Sequence, residues 1–182
     1  MDSSANAIDS QATPVTPAAA LPTFDSRERA LQGELARQRY RVGPLNLLVA
    51  FDGASSLVDI PPLARIPHAH RCLRGLANVR GRIMPVYDAA PLFEVDRNPV
   101  ESRYMLVIES TMGPAALTVD GVPATVRLDL DAMVVPPALP PTAETCLAAA
   151  YSDGAGGLLL DIDHAQLLEQ LKQLTAAHIR SA

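Results

Sequence analysis

Proline sets the first limit on what this chain can fold into. The 182 residues include 16 prolines, roughly twice the ordinary share. A proline has no backbone N–H and breaks helix interiors, so a simple helical bundle is excluded. Short apolar runs stand between the prolines, and turn residues bound most of them. Residues 45–51 lie between Gly43-Pro44 and Asp52-Gly53 and read as a strand. Residues 56–60 form a second strand, closed by Pro61-Pro62. Residues 82–86 form a third, and Pro85 puts it at an edge or bulge. Residues 104–109 read as the clearest buried strand, and 115–119 follow after a turn at Gly113-Pro114. Asp120-Gly121 predicts another turn, after which 122–128 continues extended. Residues 133–135 stop at Pro136-Pro137, and 157–161 is the last strand. Short strands at this regular spacing predict an all-β barrel or sandwich.

The two ends differ from this middle. Residues 1–24 are rich in Ala, Ser, Thr and Pro and nearly uncharged, which predicts a disordered tail. Residues 25–39 predict an N-terminal amphipathic helix. Asp25 caps it, Glu28 reaches back to the cap, and Leu31 and Leu35 form a narrow apolar stripe. Residues 163–180 predict a closing helix. Asp163 is its cap, Gln166 completes a capping box, and Leu167, Leu168, Leu171 and Leu174 give one apolar face. The β-rich domain with this helix spans 40–180.

Composition narrows the function classes. Hydrophobic residues make up 48% and the net charge is −5, so the chain can bury a core and is not disordered throughout. The aromatics are 4 Tyr and 3 Phe with no Trp, so the core is aliphatic. That scarcity and the acidic balance argue against nucleic-acid binding, which uses basic surfaces and aromatic platforms. No run of about 20 apolar residues occurs, so no direct membrane insertion is expected. The first eleven residues have neither the basic region nor the apolar run of a secretory signal. Cys72 and Cys146 then read as free thiols in a reducing compartment.

Candidate chemistry is sparse. His68, His70 and Cys72 alternate and would share one face of a strand, and zinc accepts such ligands. No second ligand pair stands near them, so a solvated loop is the better reading and no metal is expected. Asp129 with Asp131 and Asp161 with Asp163 are D-x-D pairs without the further oxygen ligands a calcium loop needs. No nucleophile elbow, phosphate loop or zinc-protease helix motif occurs. The chain is therefore expected not to be an enzyme, to have no catalytic residues and to carry no cofactor.

The informative stretch runs from Arg65 to Arg82. It contains Arg65, Arg71, Arg74, Arg80 and Arg82 and no acidic residue. Within it Gly75 and Gly81 frame Asn78 and Arg80. Asn and Gly favour positive φ, so a turn here would present Arg80 rigidly before the next strand. A plain tight turn with a solvated arginine fits the same residues.

The stretch Asn78-Val79-Arg80-Gly81, leading through Ile83, Pro85 and Val86 to Asp88, resembles the signature of the CheW family of chemotaxis coupling proteins. Arg65-Ile66-Pro67, Val119-Asp120-Gly121-Val122 and Leu158 through Asp161 resemble further family segments, in the same order along the chain. Ala89 and Ala116 stand where relatives carry Leu and Gly. The resemblance implies two small interlocked five-stranded barrels of the SH3/OB-like kind, with a few short helices and a C-terminal helix. It implies an adaptor between the cytoplasmic hairpin tip of a chemoreceptor and the regulatory domain of a CheA-type histidine kinase. Assembly into arrays, and a cytoplasmic location at inner-membrane chemoreceptor arrays, are implied with it. By the same resemblance Arg80 faces the receptor tip. Leu57, Val58 and Asp59 line the receptor groove, Val122 lies in it, and Gly75 affects receptor coupling. Asn78 and Gly81 form the signature turn. The stretches 43–51 and 60–67 resemble the PilI-like branch of type IV pilus (twitching-motility) signalling, with flagellar chemotaxis as the alternative. In the groove so implied, Leu57, Val58 and Val122 would form the floor and Arg80 a charged anchor.

Overall fold

The computed structural model describes residues 34–50, 54–98, 102–110 and 113–181. The tail expected over 1–24 and the start of the expected first helix, 25–33, lie outside the described residues. Among the described residues nine strands run in the order β1 (Glu34–Val42), β2 (Leu45–Val49), β3 (Ala54–Asp59), β4 (Leu73–Val79), β5 (Arg82–Tyr87), β6 (Tyr104–Ile108), β7 (Ala115–Asp129), β8 (Leu147–Ser152) and β9 (Leu158–Ile162). A short helix α1 (Pro141–Glu144) and a long closing helix α2 (His164–Ser181) complete the chain.

The strands close into two five-stranded barrels that share β7. In the first barrel the C-terminal half of β7 pairs with β1, β1 with β2, β2 with β9 and β9 with β8. A bridge between Met133 and Tyr151 closes it. In the second, β3 pairs with β6, β6 with the N-terminal half of β7, β7 with β5 and β5 with β4. A bridge between Ala64 and Leu76 closes that one. The double barrel expected from the resemblance is the observed fold.

The apolar runs are continuous because both strand faces are covered. On β6, Met105 and Val107 fill the second barrel, while Leu106 and Ile108 face the large core shared by the two barrels and α2. On β2, Leu48 fills the first barrel, and Leu47 and Val49 face the shared core. Leu167, Leu168 and Leu171 of α2 are fully buried in that core. At about 1.5–3 kcal/mol for each fully buried aliphatic side chain, this cluster is the main cohesive element.

Three sequence readings are corrected. Residues 34–39 are not helical: they open strand β1, held on one side by β2 and on the other by β7. Asp120-Gly121 does not end a strand. Gly121 takes φ +73°, the register against β1 shifts between Arg39 and Arg41, and β7 runs on into the other barrel. Residues 133–135 contribute only the closing bridge at Met133, with Val134 N–H donating to Ala150.

The helix caps follow the sequence more closely. Asp163 Oδ1 accepts the Gln166 N–H at 3.0 Å. The Gln166 side chain donates to Asp163 Oδ2 rather than reaching the cap's own N–H, which is held by Cys146.

Candidate functional site

The β4–β5 hairpin carries the signature turn. Val79 pairs with Arg82, so Arg80 and Gly81 alone form the loop. Their φ values are +52° and +83°, the sign pattern of a type I′ turn, whose twist matches that of the flanking strands. Asn78 Oδ1 accepts the Gly81 N–H at 2.9 Å and locks the turn. The two flanking arginines differ in state. Arg82 makes a two-point ion pair with Glu109, at 2.8 and 3.2 Å, which ties the hairpin to the end of β6. Arg80 is exposed and has no ion pair among the described residues. A non-glycine residue held at positive φ is strained by about 1–2 kcal/mol, and here the locked turn fixes where the Arg80 side chain starts.

Ile83, beside this turn and paired with Asn78, is 71% exposed. This exposed apolar side chain near Arg80 is a candidate contact that sequence reasoning did not name.

The other expected contact residues sit on the same barrel or, for Val122, where β7 leaves it. The antiparallel bridge of Ala64 with Leu76 places the end of β3 and the Arg80 turn on one side of the closing seam. Val58, Ile60 and Val79 pack against one inner cluster there. Leu57 and Val58 do not share a face. Neighbours on a strand point to opposite sides, and Leu57 packs on the shared core while Val58 enters the barrel. Asp59 is exposed and stands in one row with Tyr104 and Val119. Val122, just past Val119 on β7, is 68% exposed. The groove floor expected from Leu57, Val58 and Val122 is therefore not one continuous face. Asp59, Val122 and Arg80 are exposed, while Leu57 and Val58 are half-buried.

Gly75 is needed by packing. Its φ is +144°, and a Cβ there would lie 2.6 Å from the carbonyl oxygen of Ala64. Two backbone hydrogen bonds of 2.9 Å between Ala64 and Leu76 hold that approach. Gly75 thus keeps the seam beside Arg80 closed.

The motif aspartates are internal. Asp120 accepts from Arg97 Nε at 2.7 Å, from Ser102 Oγ at 2.9 Å and from the Gly43 N–H at 2.7 Å. Asp88 accepts from Arg97 Nη1 at 2.8 Å and from the Ala90 N–H at 3.0 Å. Asp161 pairs with Arg37 at 3.3 Å. Burial pushes its carboxyl above the usual range, against the pull of that guanidinium. This pair lines a hollow of about 440 Å³ at the seam of the barrels, together with Val49, Ile108 and Ala148.

His68, His70 and Cys72 lie in a turn, not on a strand. Cys72 is buried and its N–H donates to His70 Nδ1. Among the described residues no group of three or more His, Cys, Asp or Glu side chains is gathered as a metal site would need. Asp129 caps a short 3₁₀ turn through the Asp131 N–H.

Comparison with known proteins agrees with the fold. The family model of the CheW-like domain matches residues 39–172. The crystal structure of the scaffolding protein TtCheW from Thermoanaerobacter tengcongensis is similar, with a TM-score of 0.63 and 18% sequence identity. The match covers 72% of this chain and 86% of that one. At that identity the likeness speaks for the fold. No curated protein matches the chain by sequence.

Proposed function

Because the chain belongs to the CheW-like domain family, we propose that it is a non-enzymatic adaptor joining a chemoreceptor's cytoplasmic hairpin tip to the regulatory domain of a CheA-type histidine kinase. The observation that carries the receptor half is Arg80. It is exposed, unpaired among the described residues and held at positive φ by a two-residue turn, with exposed Ile83 beside it. A charged fork next to an apolar side chain suits a helical hairpin, whose surface offers carboxylates and aliphatic ridges. Asp59 extends the contact along the second barrel, and Val122 carries it past Gly121 to the start of the first.

The pathway we propose is type IV pilus (twitching) signalling, supported by the PilI-like stretches 43–51 and 60–67. The protein then works in the cytoplasm at inner-membrane receptor arrays. Co-purification of the full chain with the kinase regulatory domain and with a receptor tip fragment tests the adaptor; retention of neither would sink it. Deletion in the native host tests the pathway. Lost twitching with intact swimming supports the pilus branch, and the reverse result assigns flagellar chemotaxis.

A further inference from the structure

The loop between the closing bridge and β4 builds a basic hollow that includes none of Arg80, Ile83, Asp59 and Val122. It encloses about 630 Å³, and Arg65, His68, His70, Arg71 and Arg74 stand on its wall. No acidic residue occurs between Asp59 and Asp88 in sequence, and none lines the hollow. We propose that this hollow binds a small soluble polyanion of the diphosphate class, one carrying about three negative charges to match its three guanidiniums.

The cations are not used up internally. Arg65 has no ion pair among the described residues. Arg71 reaches only a backbone carbonyl, that of Pro91, at 3.4 Å. Glu94 and Asp96 share an adjoining hollow with Arg71, and no ion pair among the described residues joins either to it. Arg74 is 3.5 Å from Asp88 Oδ2, but Asp88 already takes a shorter ion pair from Arg97.

The histidines add donors. Because His70 Nδ1 accepts the Cys72 N–H, its proton sits on Nε2. Its ring meets His178 of α2 edge-on, with centroids 5.5 Å apart. Burial, His178 and Arg71 together lower the affinity of His70 for a second proton, as a surplus of positive potential would. His68 is held at φ +56°, a strained conformation of the kind found at binding loops. Guanidinium forks match phosphoryl oxygens two at a time. Three forks around one concavity exceed what a single carboxylate neutralises. The hollow has the size of a small-molecule site, and no Phe, Tyr or Trp lines it.

Titration calorimetry of the full chain with inorganic pyrophosphate, at fixed ionic strength, tests the proposal. Saturable binding of one pyrophosphate per chain is expected, weakened about tenfold or more in an Arg65→Ala/Arg71→Ala double variant. Both residues are exposed, so an unchanged melting temperature is expected alongside the loss. Absence of binding, or binding unchanged in the variant, overturns the proposal. If the chain is retained on phosphatidylglycerol vesicles but does not bind pyrophosphate, the surface reads lipid phosphates instead, which also overturns the soluble ligand.

Discussion

Asp88 and Asp120, from two separate sequence motifs, hold one guanidinium between them. Arg97 places Nη1 2.8 Å from Asp88 and Nε 2.7 Å from Asp120. Its side chain is 4% exposed and that of Asp120 2%. Thr118 Oγ1 accepts from Nη1 at 2.6 Å, while Nη2 is buried without a partner among the described residues. Two carboxylates face Arg97, with Arg74 only at 3.5 Å from Asp88, so the site leans on neutral donors, and Gly43, Ala90 and Ser102 supply them. The network pins the loop before Arg97, the β1–β2 turn and the middle of β7 to one point.

Removing Arg97 should therefore unfold more than a loop. Breaking a buried ion pair by deleting one partner costs about 3–5 kcal/mol. Arg97→Ala is expected to lose about that much in urea unfolding. A loss under about 1 kcal/mol would show that water replaces the guanidinium without difficulty.

Arg80 separates binding from stability. Arg80→Ala should weaken receptor-tip binding by about 2 kcal/mol or more with little change in folding. Arg80→Gly should lose the same binding yet gain up to about 1 kcal/mol of stability, because glycine accepts positive φ without strain. Pull-down and thermal melting on both variants check this. A variant that binds normally, or a glycine variant that melts far lower, would contradict it.

Two glycines offer an internal control. Gly75→Ala forces a Cβ against the Ala64 carbonyl, whereas a Cβ at Gly81 meets nothing within 4 Å. Gly81→Ala should cost about 1 kcal/mol from backbone conformation alone. Gly75→Ala should cost clearly more and loosen the seam beside Arg80. Hydrogen exchange at Leu76 reads the difference.

Acid should weaken the fold through His164. Nδ1 lies 2.8 Å from the Ile162 carbonyl, which only accepts, so Nε2 accepts the Tyr40 O–H at 2.7 Å and the ring is neutral. Burial drives its pKa down from 6.5 to about 4. Between those values the unfolded chain binds the proton and the folded one does not. Stability from this group is complete above the unfolded value and falls as pH drops towards 4, by at most about 1.4 kcal/mol per pH unit. Urea midpoints at pH 7.5 and 5 should differ in the native chain, and His164→Gln should flatten that slope. An equal slope in the variant would place the acid sensitivity elsewhere.

Much of the architecture can be read from local sequence. The strands at Leu45–Val49, Tyr104–Ile108 and Leu158–Ile162 are bounded apolar runs, and their continuity records burial on both faces. The Arg80-Gly81 turn and the Asp163 cap are local devices whose hydrogen bonds close within a few residues. Glu34–Val42 was harder. Its Glu, Leu, Ala, Arg and Gln favour a helix, and the competing signal was the alternation of Arg37, Arg39 and Arg41 with Gln38, Tyr40 and Val42. The last three are buried. Pairing along both edges, with β2 and β7, outweighs a helix propensity of a few tenths of a kcal/mol per residue.

What the sequence by itself determined is the strand-rich class, the turn that presents Arg80 and the closing helix, because each depends on neighbours in the chain. Only the tertiary structure decided that β7 serves two barrels. It also decided that Leu57 and Val58 face different cores, that Gly75 is needed by Ala64, and that Asp88 and Asp120 meet on Arg97. Those outcomes rest on pairings between distant segments, which no local pattern encodes. The prolines that first limited the fold keep this division. They end segments locally, and which segments then meet is settled by the two closing bridges at Leu76 and Tyr151.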